Sequence, residues 1–243
     1  MVALRLVLNL VVSIGMCWSC ERADDVRRYY FPVRELTDGL VYEYANQGTL
    51  TDEPAEYWYY LGLDRDTALY LSATRYADGM TPVQVGRERI TNDGVRLEQL
   101  FLYPPDLHGV RQRVEAEILY NRSYPFLLDD GQAVGYRIGF APPDNPDATN
   151  YVSLDRRYRR DTTLTVMDKT YAAIVFDLAG EVSQRDPDLG DISPTFTGYE
   201  IYAEGLGLVE YYRDLGAGGT VAGKLIRRIP MADYAGRFRT EAE

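Results

Sequence analysis

From Leu40 onward, apolar and polar residues alternate with the period of a strand rather than that of a helix. The stretches LVYEYAN (40–46), EYWYYLGL (56–63), TALYLSATRY (67–76), TPVQVGRERI (81–90) and VRLEQLFLY (95–103) are divided by the turn formers DRD, ADGM and TNDG. Such spacing predicts successive β-hairpins. In the fifth stretch Leu97, Phe101 and Tyr103 share a phase with Gln99, while Leu100 and Leu102 fall on the other, so cover on both faces is expected. The segment GVRQRVEAEIL (109–119) fits two periods. Val110, Val114 and Ile118 recur at helical spacing, but Arg and Glu at 111, 113, 115 and 117 alternate, and a strand is the reading adopted. Further strands are predicted at AVGYRIGF (133–140), NYVSLDRRY (150–158), DTTLTVMD (161–168), KTYAAIVFDLAGEVS (169–183), GYEIYAEG (198–205), LGLVEYYRDL (206–215) and TVAGKLIRRI (220–229). PPDLHG, APPDNPDATN and RDPDLGDISPTF read as loops. No long amphipathic helix and no repeat of fixed period interrupts this series. The expected fold is all-β: one large curled antiparallel sheet or half-open barrel, because curling hides edges that a flat sheet would expose.

The pattern breaks at the N-terminus. Arg5 precedes an apolar run from Leu6 to Met16, long enough for a secretory signal and short of the roughly 20 residues that span a bilayer. Both cysteines, Cys17 and Cys20, close this run. A redox C-x-x-C would open a helix, yet the charged ERADDVRR follows; a zinc site would need ligands that one histidine and no further cysteine cannot supply. Ser19–Cys20 after an apolar run resembles a bacterial lipobox. That resemblance implies cleavage after residue 19, lipidation of Cys20 and loss of Cys17 with the signal. Ordinary cleavage nearby, giving a soluble secreted protein, is the alternative; a buried N-terminal strand or helix is a third reading. The division expected is a signal peptide over 1–19, a lipidated cysteine and tether over 20–28, a single β domain over 29–230 and a flexible tail over 231–243.

Composition narrows the partners. Acidic residues number 37 against 26 basic ones, which opposes nucleic-acid binding and electrostatic adhesion to an anionic membrane. Tyrosine is over-represented, with 21 against 7 phenylalanines and 2 tryptophans. Tyrosine suits a half-exposed sheet face, and it also suits the wall of a ligand cleft.

Catalytic motifs do not emerge. The chain has no G-x-S-x-G, P-loop, G-x-G-x-x-G opening a helix or H-E-x-x-H, and its one histidine, His108, lies in a Pro- and Gly-flanked loop. Asp186, Asp188 and Asp191 have the spacing of Ca²⁺ ligands but lack the later glutamate of an EF-hand loop, so neither a metal nor a cofactor is assigned. Asn121-Arg122-Ser123 matches an N-glycosylation sequon. D-T-A at 66–68 and D-T-T at 161–163 resemble an O-glycosylation pattern of exported Bacteroidota proteins, which implies modification at Thr67 and Thr162.

The segment TGYEIYAEGLGLVEYYR (197–213) reaches Y-A-x-G-L-G-L-V at Tyr202 to Val209, after a T-Y-x-x-I-x-F strand at Thr170 to Phe176. With the opening YYFPVRELTDGLVYEY, it resembles uncharacterised envelope lipoproteins of Gram-negative bacteria, especially Bacteroidota. That resemblance implies a curved sheet like the half-barrel of lipoprotein carriers and receptors, which hold acyl chains on their concave face. Gly205 and Gly207 would permit a sharp bend between two strands. The expected function is that of a non-enzymatic, lipid-anchored envelope protein, at the outer membrane or its periplasmic face, that binds a lipid-like ligand or an envelope protein. A scaffold without ligand and a carboxylate-dependent glycan hydrolase are the alternatives.

Overall fold

The computed structural model describes residues 24–239 apart from 66, 78, 129–132 and 189. Cys20 and the signal segment lie outside the described residues. Strands follow in chain order as β1 Leu40–Asn46, β2 Ala55–Arg65, β3 Ala68–Ala77, β4 Thr81–Ile90, β5 Gly94–Leu102, β6 Val114–Glu115, β7 Glu117–Pro125, β8 Val134–Phe140, β9 Thr149–Val166, β10 Lys169–Arg185, β11 Thr195–Ala203, β12 Gly207–Asp214 and β13 Thr220–Pro230. All pair antiparallel with chain neighbours, and β13 returns to pair with β1 while β4 and β5 join the ends of the strand series. The predicted curled sheet therefore closes completely, with β6 a short addition beside β5. Among the described residues closure pairs each strand of the ring on both sides over part of its length, which limits edge-to-edge association to the projecting end of the β9–β10 hairpin.

The inward phase is tyrosine-rich. Leu40, Tyr42 and Tyr44 of β1 sit opposite Tyr60, Trp58 and Glu56 of β2. Tyr42 and Tyr44 are fully buried and donate their hydroxyls to the carbonyls of Leu206 and Leu208, at the start of the next strand but one, at 3.0 and 2.9 Å. Each ring thus fills apolar space while its hydroxyl finds an acceptor.

One end of the barrel is sealed by the segment before β1. Asp25 bridges to Leu127, the Val26 N–H donates to the Phe126 carbonyl at 2.9 Å, and two short 3₁₀ turns follow at Arg27–Tyr29 and Val33–Glu35. Val26, Tyr29, Tyr30, Phe31, Val33 and Leu36 all join the main core. The expected tether over 20–28 is thus corrected from residue 24 onward: burial of Val26 draws the segment into the fold. Close approach is possible because β2 carries Gly62 here. Its N–H donates to the Leu36 carbonyl at 2.8 Å, and a Cβ would lie 1.9 Å from the Val33 carbonyl oxygen. The long β9–β10 hairpin outreaches β11, whose pairing with β10 starts at Ala173. Its Leu164, Val166, Met167 and Tyr171 pack against the same core.

The tail also differs from expectation. Met231–Arg239 forms a helix, α1, whose Tyr234 is fully buried and donates its hydroxyl to the Gly79 carbonyl at 2.5 Å. Arg237 reaches the buried carboxylate of Glu43 at 3.3 Å, beside Arg227 at 2.7 Å. Its apolar face is short, made of Met231, Tyr234, Ala235 and Phe238, and polar residues surround it, so the sequence carries little helical signal. The single histidine, His108, is exposed, and its loop is organised by the Asp106 carboxylate.

Candidate functional site

Two spaces lie inside the barrel and toward the end opposite the sealed one, the outer of them reaching the contact between the wall and α1. A mouth cavity of about 830 Å³ is lined by Leu50, Pro54, Tyr57, Tyr76, Val83, Leu102, Tyr103, Phe140, Val221 and Phe238, with Glu53, Glu56, Arg75 and Arg111 among the charged members. An inner chamber of about 180 Å³ is lined by Tyr30, Trp58, Glu88, Tyr124, Tyr136, Arg156, Glu200, Tyr202 and Arg213. Glu56 and Tyr211 line both and mark the floor between them. The larger space matches the size of small-molecule sites, whereas the smaller is nearer to a few waters.

The inner chamber is held by ions placed on the apolar phase of their strands. Arg156 of β9 lies between Leu154 and Tyr158, Glu200 of β11 lies two residues before Tyr202, and Arg213 of β12 lies two after Tyr211. Arg156 donates Nε–H to Glu200 Oε2 at 2.6 Å, and its NH1 donates to the Ser123 carbonyl at 2.9 Å. Arg213 and the Tyr202 hydroxyl complete the carboxylate's partners at 3.2 and 2.9 Å. Burial, with Glu200 only 1% exposed, opposes its ionisation. The attraction of Arg156 and Arg213 and their hydrogen bonds outweigh that, so the carboxyl is held below its ordinary range. Two further carboxylates are engaged likewise. Glu88 accepts from the buried Tyr30 hydroxyl at 2.5 Å, and burial followed by the Glu88 charge pushes that hydroxyl well above the ordinary tyrosine value. Glu56 accepts from Trp58 Nε1 at 2.9 Å and from the Tyr211 hydroxyl. Burial, then Glu56, raises the Tyr211 hydroxyl in the same way.

The rim of the mouth end is apolar at its tips. Leu50, Met80, Leu107, Val110, Ile192 and Leu215 are exposed large hydrophobic residues in the loops there, with Leu107 reaching 81% exposure. At the sealed end Leu127 is the counterpart among the described residues.

The residues singled out from sequence do not converge on this site. Gly205 and Gly207 form the tight β11–β12 turn at the sealed end, with φ of +71° and +86°. Gly207 is required twice over, since a Cβ would also lie 2.4 Å from the Phe31 ring. Thr67 is exposed in the β2–β3 turn at the sealed end, and Thr162 is half-buried within β9 opposite Ala173. Asp186 is buried and accepts from Asn145 Nδ2 at 2.6 Å and from the Asp188 N–H at 2.8 Å, so it ties two loops together. Among the described residues no group of three His, Cys, Asp or Glu side chains is placed to hold a metal ion.

No family model matches the chain, and no curated protein matches it in sequence. Solved structures do match in fold. A Bacteroides fragilis protein described as exported and as having a YmcC-like fold superposes with a TM-score of 0.50 at 12% identity, over 82% of this chain and 98% of that one. A protein of Parabacteroides distasonis described as a lipoprotein gives a TM-score of 0.47 at 12% identity, covering 81% of this chain and 95% of that one. The hypothetical lipoprotein YmcC of Escherichia coli gives 0.34 at 11% identity, over 80% and 88%.

Proposed function

We propose that the chain is an exported, lipid-anchored and non-enzymatic protein of the bacterial cell envelope that takes an apolar ligand into the mouth of its barrel. The observation that carries this reading is the mouth cavity of about 830 Å³, walled by aliphatic and aromatic side chains and rimmed by apolar loop tips. Likeness to exported proteins and lipoproteins of Bacteroidales supports the compartment. The interior carboxylates Glu56, Glu88 and Glu200 are each held by donors of the barrel itself, which speaks against a pair free for glycan hydrolysis.

The anchor sets the orientation. Cys20 precedes Asp24 by four residues, and Asp24 is already fixed at the sealed end, where its carbonyl accepts from the Leu128 N–H at 3.1 Å. Four residues span about 14 Å at most. A lipid on Cys20 therefore holds the sealed end against its membrane and turns the mouth away, so ligand arrives from the aqueous side or from a partner. Cys20→Ala is expected to move the protein from the membrane fraction to the soluble one, while Cys17→Ala leaves the mature protein unchanged. A Cys20 variant that stays with the membrane would refute the anchor.

Ligand binding is tested by native mass spectrometry of residues 21–243, which contain the whole described fold, purified without detergent. A reproducible co-purifying mass that extracts into chloroform is expected. Purely empty protein from several independent preparations would count against the reading.

A further inference from the structure

Arg75 stands at the floor of the mouth and is poorly satisfied by the protein. On β3 it lies opposite Trp58 and Gln84, the inner-chamber residues of the neighbouring strands, and it lines the mouth cavity itself. A guanidinium offers five N–H donors. Among the described residues one acceptor meets it, Glu56 Oε1, at the long distance of 3.4 Å. Its Nε is buried with no hydrogen-bond partner, although the side chain as a whole is 42% exposed. A buried donor left unmade is costly, and such groups in a native protein call for an acceptor that completes them. Glu56 does not depend on Arg75 for its own satisfaction, because Trp58 and the Tyr211 hydroxyl already donate to it. The positive charge is thus placed where the apolar walls end.

We propose that the ligand of the mouth cavity is a single-chain amphiphile whose oxyanion head, a carboxylate or a phosphate monoester, is bound by the Arg75 guanidinium at the floor. Its alkyl chain lies along the walls formed by Leu102, Phe140 and Val221. This rests on the mouth being a ligand site, and adds the head-group chemistry and its direction: head inward, tail toward the rim. A small rotation of the guanidinium presents Nε–H and a terminal N–H as a fork, the geometry that oxyanions accept in bidentate fashion. Glu56 beside it keeps the empty floor near neutrality.

The test is calorimetric titration of residues 21–243 with dodecanoate, dodecyl phosphate and dodecanol, each below its aggregation threshold. One or both anions are expected to bind at least about tenfold more tightly than the alcohol, the scale of a charge-assisted hydrogen bond. Whichever of the two anions binds tighter identifies the natural head. Arg75→Gln should abolish that preference while dodecanol affinity and the circular dichroism spectrum stay unchanged, and Arg75→Lys should restore part of it. Equal binding of anions and alcohol to the wild type would overturn the head-group assignment and leave the apolar mouth standing. So would an Arg75→Gln variant that keeps the preference. No binding of any of the three to the wild type would overturn both.

Discussion

Arg156→Ala is expected to cost the fold about 3–5 kcal/mol, the range for removing one partner of a buried ion pair. The loss comes less from the bond than from the carboxylate left behind. Glu200 is enclosed, and without Arg156 it keeps the Arg213 contact at 3.2 Å and the Tyr202 hydroxyl, neither of which replaces the 2.6 Å bond. The Ser123 carbonyl would lose its donor as well. The pH dependence gives the cause away. In the wild type Glu200 titrates below its ordinary value of 4.5, so its contribution is present above that pH and is lost as the pH falls through the folded value. The gap between wild type and variant in urea unfolding should therefore be widest near neutrality and shrink in acid, where protonation relieves the stranded charge. A gap that does not change with pH would assign the loss to packing alone.

Alkali is expected to unfold the barrel cooperatively. Tyr44, Tyr60, Tyr124 and Tyr202 are raised well above the ordinary tyrosine value of 10, with burial the first cause in each case. For Tyr234, burial in the helix–barrel contact, then the charges of Tyr57 and Tyr76, raises the hydroxyl to about 12. A phenol kept neutral in the fold ionises earlier in the unfolded chain. Its contribution is thus full below pH 10 and is lost as the pH climbs toward the folded value. Each such group removes about 1.4 kcal/mol per pH unit over that window, and five act together. Tyrosinate absorbance near 295 nm should rise in two stages: exposed residues first, then an abrupt step coinciding with loss of the far-ultraviolet strand signal. A smooth titration with the strand signal intact would contradict this account.

The strands were legible because half-buried antiparallel strands write their alternation into the sequence. LVYEYAN, TPVQVGRERI and TVAGKLIRRI coincide with β1, β4 and β13 to within a residue. The stretch Tyr120–Pro125 carries no clear strand signal, since Arg122 interrupts the phase that Tyr124 and Phe126 carry into the core and Asn121 and Ser123 flank it. Closure was not legible, because it depends on the pairing of β1 with β13 and of β4 with β5, which no local pattern records. The interior ions left a faint mark: Arg156, Glu200 and Arg213 sit in phase with aromatic residues, where a solvated charge does not belong. That mark is ambiguous in sequence alone, because the polar phase of a strand is fixed only once the inside is known. Arg75 carries the same mark, in phase with Ala73 and Leu71.

The seam between the first and last strands has a consequence for how the chain is made. Tyr44 of β1 has Glu56 close by on one side, but its other neighbour is Leu225, almost the full length of the domain away. A chain delivered N-terminus first must hold β1 half-paired until the last strand emerges. Topologies dominated by such distant pairings fold slowly, on the millisecond-to-second scale. Until the β11–β12 turn and β12 have emerged, Tyr42 and Tyr44 also lack the carbonyls of Leu206 and Leu208 that receive their hydroxyls. A chain ending anywhere before β13 would leave β1 with one edge uncovered, the feature that invites edge-to-edge association.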